Sequence, residues 1–173
     1  MEFIKYKINR YGITPIYGVL LHEGNQWIVT KDNVVDYVLD GIRFTNTDYI
    51  RHRKVIERST MEAQIISMKY IDFQEDCKMV RNICLDDYCG VFHAIMNQHQ
   101  LIEIGLDKSE CVFVGTVSHV NEKSFIVETI DTMTNFSQKM RIPYKTVRYF
   151  KIKTDYLNSL ELFIRSNKEN LNE

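Results

Sequence analysis

Glycine and proline are scarce in this chain, with seven and two among 173 residues. So few glycines leave little room for a phosphate-cradling loop, and no G-x-x-x-x-G-K or G-x-S-x-G run occurs. A paired-histidine metal helix and a recognisable Ser or Cys nucleophile signature are missing as well. These absences lead us to expect a protein that is not an enzyme and needs no cofactor. No apolar run approaches the roughly 20 residues that span a bilayer as a helix. The start, Met1-Glu2-Phe3-Ile4-Lys5-Tyr6-Lys7, lacks the apolar stretch and small-residue site of an export signal. We therefore expect a cytoplasmic protein with no membrane contact, whose four cysteines are reduced. A charge excess is missing too: 22 Lys and Arg stand against 23 Asp and Glu. Dedicated nucleic-acid binders usually carry a clear basic surplus, so that function starts disfavoured.

What the chain has is apolar substance, 45% hydrophobic and 12% aromatic, arranged in short segments. Tyr17-Gly18-Val19-Leu20-Leu21-His22, a polar turn and Trp27-Ile28-Val29 describe a hairpin. The pattern returns as Val114-Gly115-Thr116-Val117-Ser118-His119, a turn and Phe125-Ile126-Val127. Gly41-Ile42-Arg43-Phe44 then matches Lys139-Met140-Arg141-Ile142, and Ile50–Val55 matches Val147–Ile152, in the same order. Such internal similarity indicates a duplication. In the second copy, period-2 patterning predicts strands near 101–105, 111–120, 124–131, 139–144 and 147–153. The fold class expected is mainly β with short helices: two small five-stranded barrels in tandem, each followed by a helix. Residues 1–75 would form the first unit. Residues 76–173 would hold a linking helix, the second barrel and a C-terminal helix, with the boundary between 66 and 85.

Three helices are expected. Ser59 would cap one with Met61, Ile65 and Met68 as its stripe. Asp86 or Asp87 would cap 85–97, burying Tyr88, Phe92, Ile95 and Met96. Asp155 would cap the last, with Tyr156, Leu160 and Phe163 repeating at i, i+4, i+7. The segment from Phe3 to Tyr11 reads as a strand or a short helix.

These hairpins and the short Ile- and Val-rich strands after them resemble the Sm-like (SH3-like) barrel. The run from Leu85 to Ile164 resembles a family of uncharacterised bacterial two-domain proteins. The match rests on the helix Tyr88–Asn97, Val114-Gly115-Thr116-Val117, Arg141-Ile142-Pro143-Tyr144 and Asp155-Tyr156…Leu160…Phe163. Asp40-Gly41-Ile42 is similar to the first domain of that family. The resemblance implies a fold and no particular activity. The RNA site of Sm proteins does not carry over, because it needs an Arg-Gly pair between the last two strands. Asp48-Tyr49-Ile50-Arg51-His52 and Lys145-Thr146-Val147-Arg148-Tyr149 contain no glycine.

Three groups of residues are candidates for chemistry. Cys77, Cys84, Cys89 and His93 offer zinc-ligand types, but six residues separate the first two cysteines and four the next, and no second pair completes a site, so core packing is the simpler account. His22 and His119 occupy equivalent positions, with no acidic or nucleophilic partner recurring beside them. The basic strands carry the candidate ligand- or RNA-contacting set: Arg51, Arg53, Arg141, Lys145, Arg148, Lys151 and Lys153. Tyr49, Tyr144, Tyr149 and Phe150 interleave with them as potential stacking partners. The competing account makes these charges guards of the sheet edges. The function expected is a non-enzymatic binding or scaffold protein, with a protein partner or self-association. An RNA-binding Sm-like protein using the basic strands is one alternative, and an unrecognised enzyme is the other.

Overall fold

The computed structural model describes residues 1–8, 14–69, 73–109, 111–131 and 135–170. Ten strands and four α-helices occur among them. The first five strands are β1 (Glu2–Ile8), β2 (Ile16–Glu23), β3 (Trp27–Val35), β4 (Val38–Asn46) and β5 (Ile50–Val55). Three helices follow: α1 (Met61–Met68), α2 (Gln74–Arg81) and α3 (Tyr88–Gln98). Then come β6 (Leu101–Leu106), β7 (Val112–Val120), β8 (Ser124–Ile130), β9 (Phe136–Pro143), β10 (Val147–Ile152) and α4 (Asp155–Asn170).

All ten strands lie in one open antiparallel sheet, ordered β5-β1-β2-β3-β4-β10-β6-β7-β8-β9. This corrects the expectation of two closed five-stranded barrels, each followed by a helix. The strand order within each half is the same, but neither half closes on itself. β4 pairs along its outer edge with β10, matching Ile42 to Ile152, Arg43 to Lys151, Phe44 to Phe150 and Thr45 to Tyr149. That pairing stacks the Phe44 and Phe150 rings at 4.5 Å and 9°. Cross-strand aromatic pairs of this kind stabilise a sheet, and here they fix the register between the halves. Period-2 patterning locates each strand but leaves no local mark of which distant strand it will meet. The first barrel was therefore expected to close where the chain joins its halves instead.

The main core runs through that junction. Trp27, Val29, Ile42 and Phe44 of the first half pack with Val91, Phe92, Phe125, Val127, Val147 and Phe150 in one cluster. α3 covers it as expected, capped by the Asp87 side chain accepting from the Gly90 N–H at 2.6 Å. Its Val91, Phe92 and Ile95 are fully buried, with Tyr88 and Met96 packed at the margin. A second cluster joins Phe3 and Val19 to Ala63, Ile66, Phe73 and Cys77 under α1 and α2. On the opposite face of β1 and β2, Ile4, Tyr6, Ile8 and Ile16 gather with Ile28 and Tyr149.

Two helix faces differ from expectation. α1 is capped by Thr60, not Ser59, and buries Ala63 and Ile66 while Met61 and Met68 face outward. α4 starts on Thr154, whose hydroxyl accepts from the Leu157 N–H, and buries Leu157 while Tyr156 and Phe163 are exposed. α1 docks through two buried positions and α4 through one, so the longer apolar stripe is not the docking face. The stretch 66–85 contains α2, which was not foreseen. Residues 9–11 and 70–72 of the segments considered above lie outside the described residues.

Candidate functional site: a basic sheet edge

The seven basic residues singled out in the sequence do not form one surface. On the central strand β10, Lys151 reaches Asp32 at 3.0 Å, and just beyond that strand Lys153 lies 3.7 Å from Asp76. Arg148 is buried and donates to the Ser109 carbonyl at 3.0 Å. Asp32 also receives both arms of Arg43, at 3.0 and 2.8 Å, so β3, β4 and β10 share one buried ionic knot. Burial alone would weaken the charge on Arg43, but the Asp32 carboxylate overcomes that and raises its affinity for the proton. The Arg43 guanidinium lies 4.6 Å above the Tyr149 ring, and Tyr6 Oη is 2.8 Å from Thr45 Oγ1 in the same layer. Burial pushes the Tyr6 hydroxyl up, keeping it a neutral partner. These groups are occupied with one another and hold the sheet together.

Arg141 is exposed on β9, one edge of the sheet, and Lys145 is exposed in the turn before β10, where its carbonyl accepts from Tyr49 Oη at 2.7 Å. Arg51 and Arg53 lie on β5, the other edge. Strand alternation places both on one face, but His52 takes a left-handed conformation (φ 55°) at a bulge, where the register slips between Lys5 and Lys7. Arg53 consequently forms a two-armed ion pair with Glu23, at 2.5 and 2.9 Å. Arg51 instead folds back onto the carbonyls of Asp48 and Ile50.

The same register creates something the sequence reading missed. β1 presents Lys5 directly opposite Lys54, and Lys7 directly opposite Arg51. Lys5, Lys7, His52 and Lys54 line a concavity of about 320 Å³ together with Tyr6 and Pro15. Its lining residues include no carboxylate. Among the described residues none of Lys5, Lys7 and Lys54 has an ion-pair partner. Lys31, Arg43, Arg53, Lys139, Lys151, Lys153 and Arg165 all do. The signal in the sequence was the alternation Lys5-Tyr6-Lys7, which places two lysines on one face of a strand. Its meaning depended on which strand β1 would meet.

The other candidates make local contacts within the fold. Cys89 donates its S–H to the Asn121 carbonyl at 3.2 Å and touches the Tyr144 hydroxyl at 3.4 Å. Burial, then this thiol, raises the Tyr144 hydroxyl. Cys77 is buried, and no three His, Cys, Asp or Glu side chains among the described residues gather as metal ligands. His22 and His119 each follow a bulge, in β2 and β7, and His119 bonds to Asn121 at 3.1 Å. No described helix is long and apolar enough to cross a membrane. No protein-family model, curated protein or solved structure matches this chain.

Proposed function

We propose that this chain is a non-enzymatic binding protein that holds an anionic partner on the edge formed by β1 and β5. The observation that carries the proposal is the pair of like-charge cross-strand contacts, Lys5 against Lys54 and Lys7 against Arg51. Like charges directly opposite in a sheet oppose folding. A chain with as many acids as bases has ample means to offset them, and where Arg43 faces Lys151 it does so with Asp32 between them. Guarding an edge against aggregation requires charge on the outermost strand only. Here the inner neighbour β1 supplies half of it, and the charges line a concavity that concentrates their field on anything bound there. The groups that converge inside the sheet, Arg43 and Lys151 on Asp32, are ion-paired with one another, which supports binding over catalysis.

Lys54→Glu is the test. In the free protein it converts a repulsion into an ion pair, so the urea midpoint should rise by the equivalent of ~0.2–1 kcal/mol. The same change should weaken binding of inorganic polyphosphate at least tenfold in isothermal titration. A variant that binds polyphosphate as tightly as the parent would overturn the proposal, as would a parent that does not bind it at all.

A further inference from the structure

We infer that the anion held on this edge is single-stranded nucleic acid, with phosphates on the lysines and a base stacked on Tyr17. The inference rests on the anion-binding reading above and adds to it the class of partner. Three observations lead beyond charge. The first is the row Lys54, Lys5, Tyr17, Asn33, which are direct cross-strand neighbours over β5, β1, β2 and β3. Neighbouring strands lie ~4.8 Å apart, so the Tyr17 ring stands one strand from Lys5 and two from Lys54. That separation suits a phosphate and the base attached to it.

The second is the spacing of the cations. Lys5 and Lys7 are two residues apart on β1, which places the two basic rows ~7 Å from each other along the strand. A single phosphate, as on a modified peptide, would use one row. Two rows at this spacing, comparable with the repeat of an extended sugar–phosphate backbone, suit a chain of phosphates. The third is the neighbouring concavity of about 500 Å³, which shares Lys5 and Pro15 with the basic one. Tyr17 and Phe3 line it, their rings tilted at 38° with centroids 6.2 Å apart. Asn33 lines it too, and its Oδ1 has no hydrogen-bond partner.

The far rim carries Asp36 and Glu62. These carboxylates repel a phosphate but accept hydrogen bonds from the exocyclic amino group of a base. Charge thus sets the polarity of the ligand: backbone over β1 and β5, base toward β2 and β3. A base paired in a duplex cannot turn onto Tyr17, so the site selects single strands. Sm proteins use an Arg-Gly pair between their last two strands, whereas this surface is built from β1, β2, β3 and β5 without one. In the second half, Arg148 is engaged by Ser109, Lys151 by Asp32, and Lys153 lies beside Asp76 of α2.

The experiment measures fluorescence anisotropy of a fluorescein-labelled 12-residue oligocytidylate, the matching duplex and inorganic polyphosphate of equal charge. Vesicles of mixed phosphatidylserine and phosphatidylcholine form a further arm, read by co-sedimentation. We expect the oligonucleotide to bind at least fivefold more tightly than polyphosphate or duplex. The slope of log affinity on log salt should be about −2, for three lysine contacts to a single strand. Tyr17→Leu should weaken the oligonucleotide by about 5- to 100-fold, as loss of base stacking does, and leave polyphosphate unchanged. Tyr17→Phe keeps the ring and should bind as the parent does. Unchanged polyphosphate binding also shows that the leucine variant is folded. Equal binding of oligonucleotide and polyphosphate, with Tyr17→Leu silent, overturns this inference while the anion-binding proposal stands. Duplex bound as tightly as single strand, or vesicles bound without the oligonucleotide, likewise overturns it. Binding of no anion at all overturns both.

Discussion

Replacing Phe92 by alanine removes the ring at the centre of the junction between the two halves. Its centroid lies 3.8 Å from Phe125, 5.1 Å from Phe150, 5.5 Å from Tyr144 and 5.8 Å from Trp27. These neighbours sit on β8, β10, the turn before β10 and β3, so the cavity cannot be closed by shifting one element. Phe→Ala changes in cores cost ~3–5 kcal/mol, and the cost is highest where the site cannot collapse. Each lost aromatic contact adds to the lost burial, which places this variant in the upper part of that range. Against a typical stability of ~5–15 kcal/mol, the loss is large but leaves a folded population to study. Trp27 is the only tryptophan and is itself fully buried in this core, so its fluorescence reports on the junction. Urea melts followed by Trp27 emission and by far-ultraviolet circular dichroism should coincide in the parent and shift together in Phe92→Ala. A loss below ~1 kcal/mol, or a parent in which the two signals separate into two transitions, refutes a core shared between the halves.

Asp32→Asn keeps the shape of the ionic knot but leaves Arg43 and Lys151 buried without a counter-charge. It should cost ~3–5 kcal/mol in the same urea melts, and a cost under ~1 kcal/mol would show that the knot is wetter than its geometry implies. The Tyr88 hydroxyl is pushed up to about 12, first by burial and then by its hydrogen bond to Asp48 at 3.0 Å. A group whose folded value is raised holds its proton in the fold after the unfolded chain has lost it. Its contribution to stability is therefore complete below pH ~10 and disappears as the pH climbs towards 12. Tyr88→Phe should flatten the fall in urea midpoint over that window, and an unaltered fall would remove Tyr88 as its source.

Much of the local structure was legible in the sequence. The β-branched and aromatic runs Trp27-Ile28-Val29 and Phe125-Ile126-Val127 indicate strands, and both are strands, the first running on to Val35 and the second within a residue of 124–131. Asp87 as cap and Phe92 as centre of a buried stripe followed from side-chain chemistry and helical periodicity. The closure of the sheet was not legible. Whether Ile42 and Phe44 meet β5 or β10 depends on pairing energies between segments more than a hundred residues apart, and both choices bury the same residues. The site shared this fate. Arg51 and Arg53 stood out as a basic pair, but the left-handed His52 separates them, and nothing in Arg51-His52-Arg53 announces a bulge. Lys5 and Lys7 become part of a basic surface only through the pairing that sets Lys54 and Arg51 opposite them.

The central claim is the location of the anion site, and a nuclear magnetic resonance titration of the labelled full chain with the 12-residue oligocytidylate tests it most directly. Amide shifts should concentrate on Ile4–Ile8, Tyr17 and Ile50–Val55, and should weaken together as salt is raised. Shifts centred instead on β9 around Lys139 and Arg141, or on β10 around Lys151, would contradict it.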